Sequence, residues 1–162
     1  MENIELKSGD ILHCYRNTLL SRIICKFTKS KYSHSALVIE NWGELFVAGS
    51  QYNGTKLRKL KDWKKKFNYT YEVSRPDEFT TEMKKKAVKK CGKTPYDFIG
   101  LIVYQPIFIL TGIWLGNKRK NKKRMMCSVY VGYVFSMPKW WTDSPKAIQE
   151  YTQKSHKFTN IK

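Results

Sequence analysis

The feature that most constrains this chain is the apolar run FIGLIVYQPIFILTGIWL, Phe98 to Leu115. At a rise of about 1.5 Å per residue, a helix of that length comes close to crossing a bilayer's hydrocarbon core, so the run forces a choice between a membrane span and a globular element. Three residues argue against a span. Gln105 and Pro106 sit in its middle, where proline removes a backbone donor and clashes with the preceding turn, and Asp97 stands at its edge. The run therefore reads as two short segments, buried or interfacial. The stretch that follows, NKRKNKKR, reads as an exposed loop or as a patch for an anionic surface or polyanion through Lys118 to Arg124.

With that run assigned, 162 residues at 41% apolar content suit a single domain over 1–162, with 98–124 as an apolar then basic insertion and 138–162 as a C-terminal extension. MENIELKSGD carries acids where a secretion signal needs an apolar stretch, so a cytoplasmic protein is expected, with peripheral membrane contact left open. A net charge of +18 draws the chain toward nucleic acid or anionic lipid, or serves solubility alone. Cys14, Cys25, Cys91 and Cys127 show no CxxC pairing and read as free thiols. None has a Cys or His partner at zinc spacing, and His13 points to the face opposite Cys14 if that stretch is a strand, so neither metal nor cofactor is expected.

Elements of both kinds follow from periodicity. Asp10 to Tyr15 reads as a strand after a Gly-Asp turn. Asn17 reads as a helix cap, with Leu20, Ile23, Ile24 and Phe27 spaced as one buried stripe. SHSALVIENWGELFVAG reads as a hairpin turning at Asn41, Trp42 and Gly43. Tyr69 to Val73 is a further strand, and Thr81 to Cys91 a helix with Met83, Ala87 and Cys91 on one face, stopped by Gly92. The class is α+β.

Chemistry concentrates on two residues. Cys127 opens a second apolar helix, CSVYVGYVFSM, where unpaired N–H groups and the positive end of the helix dipole favour a thiolate and lower the thiol's pKa. His34 begins an apolar strand from which an imidazole can enter a cleft, take the thiol proton and return it to a leaving group. The sulfur and the imidazole are expected to be neighbours. Cys25 and Cys91 are expected on buried stripes, so Cys127 should be the thiol that labels first.

The order of four motifs adds to this reading: GDIL at Gly9 to Leu12, KYSHSALVI at Lys31 to Ile39, GKTPYDFIGL at Gly92 to Leu101, and MCSVYVGYV at Met126 to Val134. Together they resemble the permuted, NlpC-type, YaeF/YiiX-like branch of the papain-like cysteine hydrolases, in which the histidine strand precedes the cysteine helix. The resemblance implies a circularly permuted papain-like fold, a small antiparallel sheet packed on helices, with Cys127 as nucleophile and His34 as general base. It implies a substrate or oxyanion role for Tyr96 and for Ser128, the backbone N–H of Cys127 being a further oxyanion donor. Asp10 reads as a turn residue.

The chain departs from the pattern twice. Relatives carry an acid that orients the histidine in a phrase like FEA, where this chain has Phe46, Val47 and Ala48; Ser50, Gln51 or Glu44 is left to supply a third polar group. CSV stands where CSE is usual, Val129 replacing an acid. Loss of the orienting partner predicts reduced activity. The expected function is a thiol hydrolase acting on an amide, peptide or ester through a Cys acyl-enzyme. The alternatives are a lipid acyltransferase or phospholipase of the same branch, since that branch also resembles lecithin retinol acyltransferase, and a degenerate basic module that binds membrane or nucleic acid.

Overall fold

Alternating apolar strands need a partner on each face, and this chain supplies both. The computed structural model describes residues 4–116 and 123–161. Six strands form one antiparallel sheet: β1 (Ile11–Tyr15), β2 (His34–Asn41), β3 (Glu44–Gln51), β4 (Gly54–Lys59), β5 (Thr70–Pro76) and β6 (Phe158–Ile161), in the order β4-β3-β2-β1-β5-β6. The helices are α1 (Leu19–Thr28), α2 (Leu60–Phe67), α3 (Thr81–Lys90), α4 (Gln105–Thr111), α5 (Cys127–Val134) and α6 (Pro145–Lys154).

Side-chain alternation sorts the core into two layers. Ile11, Leu37, Ile39 and Ala48 face α5, whose Val129, Tyr130, Val131 and Val134 are buried among them together with Ala87 of α3 and Ile148 of α6. On the other face Leu12, Cys14, Ala36, Val38, Val47 and Val73 pack on Trp63 and Phe67 of α2. Trp63 fills the centre of that layer, and removing so large a buried ring costs about 3–5 kcal/mol.

Local signals explain most boundaries. The expected hairpin is present: β2 and β3 close through Asn41↔Glu44, and Trp42 and Gly43 both take positive φ, 51° and 74°, as a two-residue turn matched to strand twist requires. Asp10 does more than shape a turn, since its buried carboxylate takes Nε and Nη2 of Arg75 at 2.8 and 2.9 Å and the Lys7 N–H at 2.8 Å. That pair ties β1 to β5. The cap of α1 is Thr18 rather than Asn17, its hydroxyl accepting from the Ser21 N–H.

Three expectations need correction. Segment 138–162 is not an appendage: Ile148 and Thr152 are fully buried and β6 completes the sheet beside β5. The apolar run is not broken at Gln105 and Pro106 but continues as helix from 98 to 111. A π turn at Gly100–Tyr104, with the Gln105 N–H bonded to the Gly100 carbonyl, widens the ring just before the proline and so accommodates it. Finally, the stripe on α1 faces outward: Leu20, Ile23 and Phe27 are exposed, while the residues buried are Ser21 and Thr28. No helix among the described residues is long and apolar enough to cross a membrane. The basic run falls mostly at 117–122, outside the described residues; of Lys118 to Arg124 only Lys123 and Arg124 lie within them.

Candidate active site

Helix α5 starts at Cys127 without a side-chain cap, so its first N–H groups are free to turn on whatever lies ahead of them. What lies there is the Cys127 sulfur, against the backbone N–H groups of Ser128 and Cys127 and, from the sheet, of Ser35. Ser35 follows His34, so the hydrogen-bond donors of the helix start and of the beginning of β2 converge on one thiol. Burial nonetheless dominates and raises the thiol's pKa above its ordinary value, the N–H groups opposing it. The expected lowering is thus corrected: dehydration of a thiolate outweighs the dipole at a site where Cys127 is 4% exposed.

His34, 7% exposed, lies opposite Cys14 in the β1–β2 register and stacks on Tyr69 with centroids 5.4 Å apart and planes 11° from parallel. Its Nε2 is buried without a hydrogen-bond partner, and burial lowers the ring's pKa to about 4, so the imidazole is neutral at pH 7. Gly49 lies alongside that nitrogen, a Cβ there standing at an ordinary van der Waals distance of 3.6 Å from it. Cys127 shares the neighbourhood: Tyr69, Cys14 and Tyr96 all feel the charge its sulfur would carry as a thiolate. No hydrogen bond joins sulfur and imidazole.

Tyr96 is held by backbone pairing of its strand-like stretch with Met125, two residues before Cys127, through Met125 N–H to the Pro95 carbonyl at 3.1 Å. Burial pushes its phenol well up, followed by Cys127, Tyr69 and Asp97. Ser128 is committed elsewhere, donating its hydroxyl to the Asp143 carbonyl at 2.6 Å. Its contribution at the sulfur includes the backbone N–H.

The three candidates for an orienting group separate by strand alternation. Gln51 lies on the face of β3 that carries Val47 and Gly49, the face of His34, and its buried Oε1 has no partner. Ser50 points to the opposite face and donates to the Met125 carbonyl at 2.6 Å, fastening the approach to Cys127. Glu44 sits at the far end of β3, exposed and paired with Lys59 at 2.7 Å, about 23 Å along the strand from Gln51. Neither Ser50 nor Glu44 attends His34. Val47 and Val129, where acids were missed, are both core residues, 1% exposed.

No family model matches the chain, and no curated protein is similar to it in sequence. Among solved structures it is similar to the crystal structure of the metalloprotein YiiX from Escherichia coli O157:H7, with a TM-score of 0.57 and 19% identity over 96% of each chain. The fold is YiiX-like. At that identity the likeness to YiiX concerns the backbone course, six antiparallel strands and their helices. The neighbour is described as a metalloprotein, but among the described residues of this YiiX-like chain no group of three or more His, Cys, Asp or Glu could hold a metal ion.

Sequence reasoning missed Tyr69, the stacking partner of His34, because a tyrosine opening a strand carries no signal of what it faces. It also missed a second buried histidine. His13, on the face opposite Cys14 as alternation required, has Nε2 2.9 Å from the Ser74 hydroxyl, with Thr152 alongside at 3.4 Å. Burial lowers its pKa to about 4 against the pull of Glu72. A third omission is Asp143, buried behind α5 with Oδ2 unpartnered and its pKa raised to about 8 by burial.

Proposed function

We propose that this chain is a thiol hydrolase of the permuted papain-like type. The observation that carries the reading is the convergence on the Cys127 sulfur of N–H groups from the start of α5 and from Ser35, the residue that follows His34. Cys127 attacks the carbonyl carbon of an amide, peptide or ester. His34 accepts the thiol proton and delivers it to the leaving amine or alcohol, and water then cleaves the thioester, restoring the thiol and releasing the acid. The N–H groups at the head of α5 stabilise the oxyanion, and Tyr96 is the nearby phenol suited to assist. A neutral thiol beside a neutral imidazole is the resting state, so ionisation accompanies substrate entry. Gln51, on the face of β3 that His34 shares, takes the orienting role in place of an acid.

The same chemistry on a lipid carbonyl is the second reading, favoured by the exposed apolar residues of α1 and of 98–115. The test is intact-mass analysis after incubation with activated esters of short and long acyl chains and with a peptide amide panel. A single acyl adduct on Cys127, absent in Cys127→Ser and slowed in His34→Ala, is expected. Turnover that survives Cys127→Ser would remove Cys127 as the nucleophile, and no adduct or turnover with any substrate would leave a non-catalytic binding module.

A further inference from the structure

Two neighbouring helical elements are built with their apolar sides outward. In α1 the buried residues are Ser21 and Thr28, while Leu19 is 75% exposed and Leu20, Ile23 and Phe27 are exposed with it. In the 98–111 helix the buried anchors are Gly100 and Gln105, the latter donating Nε2 to the Thr142 carbonyl at 3.3 Å. Its outward residues include Ile102 at 67% and Leu110 at 83% exposure, with Ile113 beyond the helix end. Because α1 packs beside α4, the two sets adjoin. A patch of this kind marks a binding surface on a protein that otherwise buries its aliphatic residues well.

Charge identifies the occupant. Arg16, Arg22, Lys26 and Lys29 are exposed on and around α1, and neither 16–29 nor 98–116 contains an acidic residue. A groove of about 510 Å³ at the patch is lined by Tyr15, Leu19, Arg22, Ile23, Cys25 and Lys26, setting two cations against aliphatic walls. Aliphatic side chains in the centre with cations at the margin suit a lipid surface bearing negative headgroups, the composition of an interfacial helix, whereas a nucleic acid would leave Leu19, Leu20, Ile23, Ile102 and Leu110 exposed to water. We propose that α1 and the 98–115 segment dock the protein, peripherally, on an anionic lipid bilayer. α1 leads into His34 and the 98–115 segment lies between Tyr96 and Cys127, so docking would bring the bilayer to the elements that carry the site.

The docking does not depend on the chemistry proposed for Cys127, and Cys127→Ser should bind vesicles as wild type does. The experiment is co-sedimentation of the full chain with vesicles of phosphatidylcholine alone and of phosphatidylcholine mixed equally with phosphatidylglycerol. Wild type should partition onto the mixed vesicles at least about ten-fold more strongly than onto the neutral ones. The double variant Leu19→Ser/Leu110→Ser, which alters exposed side chains, should lose about ten-fold on the mixed vesicles with an unchanged circular dichroism melt. Arg22→Ser/Lys26→Ser should weaken binding to the mixed vesicles and leave the neutral ones unaffected. Wild type remaining in the supernatant, or equal binding by the Leu19/Leu110 variant, overturns the proposal. So does a dimer in light scattering that the Leu19/Leu110 variant dissociates, which would assign the patch to a second copy.

Discussion

Asp143 gives the sharpest quantitative expectation, through the substitution Asp143→Asn. The carboxyl lies behind α5, buried, with Oδ2 unpartnered and so close to Gly132 that a Cβ there would stand 2.2 Å away. Burial raises its pKa from 3.8 to about 8, so between those values the folded protein holds a proton that the unfolded chain has lost. Stability from this group is therefore fully present below the unfolded pKa and falls as pH rises through the folded one. His13 and His34 run the other way: both are lowered from 6.5 to about 4, so their contribution is present above 6.5 and is lost on acidification. The histidines dominate below pH 6.5 and Asp143 stands alone between 6.5 and about 8. At about 1.4 kcal/mol per pH unit, wild type should lose about 2 kcal/mol across that window. Urea unfolding at fixed ionic strength measures it as a midpoint falling by about 1 M, given a slope of about 2 kcal/mol/M. Asp143→Asn keeps the shape, removes the titration and should flatten the curve. A wild-type midpoint constant from pH 6.5 to 8, or an equal fall in the variant, would refute the argument.

Labelling with limiting iodoacetamide near neutral pH should reach Cys25 first, because it is half-buried beside a surface groove while Cys14 and Cys127 are buried and burial pushes the half-buried Cys91 thiol up to about 11; in a Cys25→Ser background, added substrate analogue should be what changes labelling at Cys127, read by peptide mass. Asp10→Ala removes the buried partner of a bidentate ion pair whose Arg75 is 26% exposed and should cost about 1.5–3 kcal/mol in chemical unfolding, with no cost identifying the Arg75 contact as dispensable. Gln51→Ala should lower kcat of any esterase activity by about ten-fold with an unchanged melt, if Gln51 orients the ring, and Gln51→Glu should restore part of the loss. An equal effect of both variants on the melt alone would make Gln51 structural.

Much of the site was legible because its signals are local. A helix start is written in the residues around Cys127, a hairpin in Asn41 to Glu44, and alternation alone sent His13 and Cys14 to opposite faces. The partners of those residues were not legible. Strand pairing joins positions distant in sequence, so nothing near His34 announces Tyr69 stacked on it, and nothing near Cys127 announces the Ser35 N–H. Nor does residue type show that Ser50 and Glu44 are occupied elsewhere, which follows from which face and which end of β3 each takes.

By itself, then, the chain's order of residues determined an α+β domain with a thiol at a helix start and an imidazole at a strand start, because propensity, capping and alternation act over a few residues. Tertiary structure decided two things that periodicity cannot carry. A period of 3.6 identifies a helix face but not which face turns inward, and on α1 and 98–111 it was the polar side, Ser21, Thr28 and Gln105, that turned inward. The ionisation of the site was likewise set by burial: the dipole that favours a thiolate at Cys127 is local, whereas the loss of water that opposes it comes from every element packed around the sulfur.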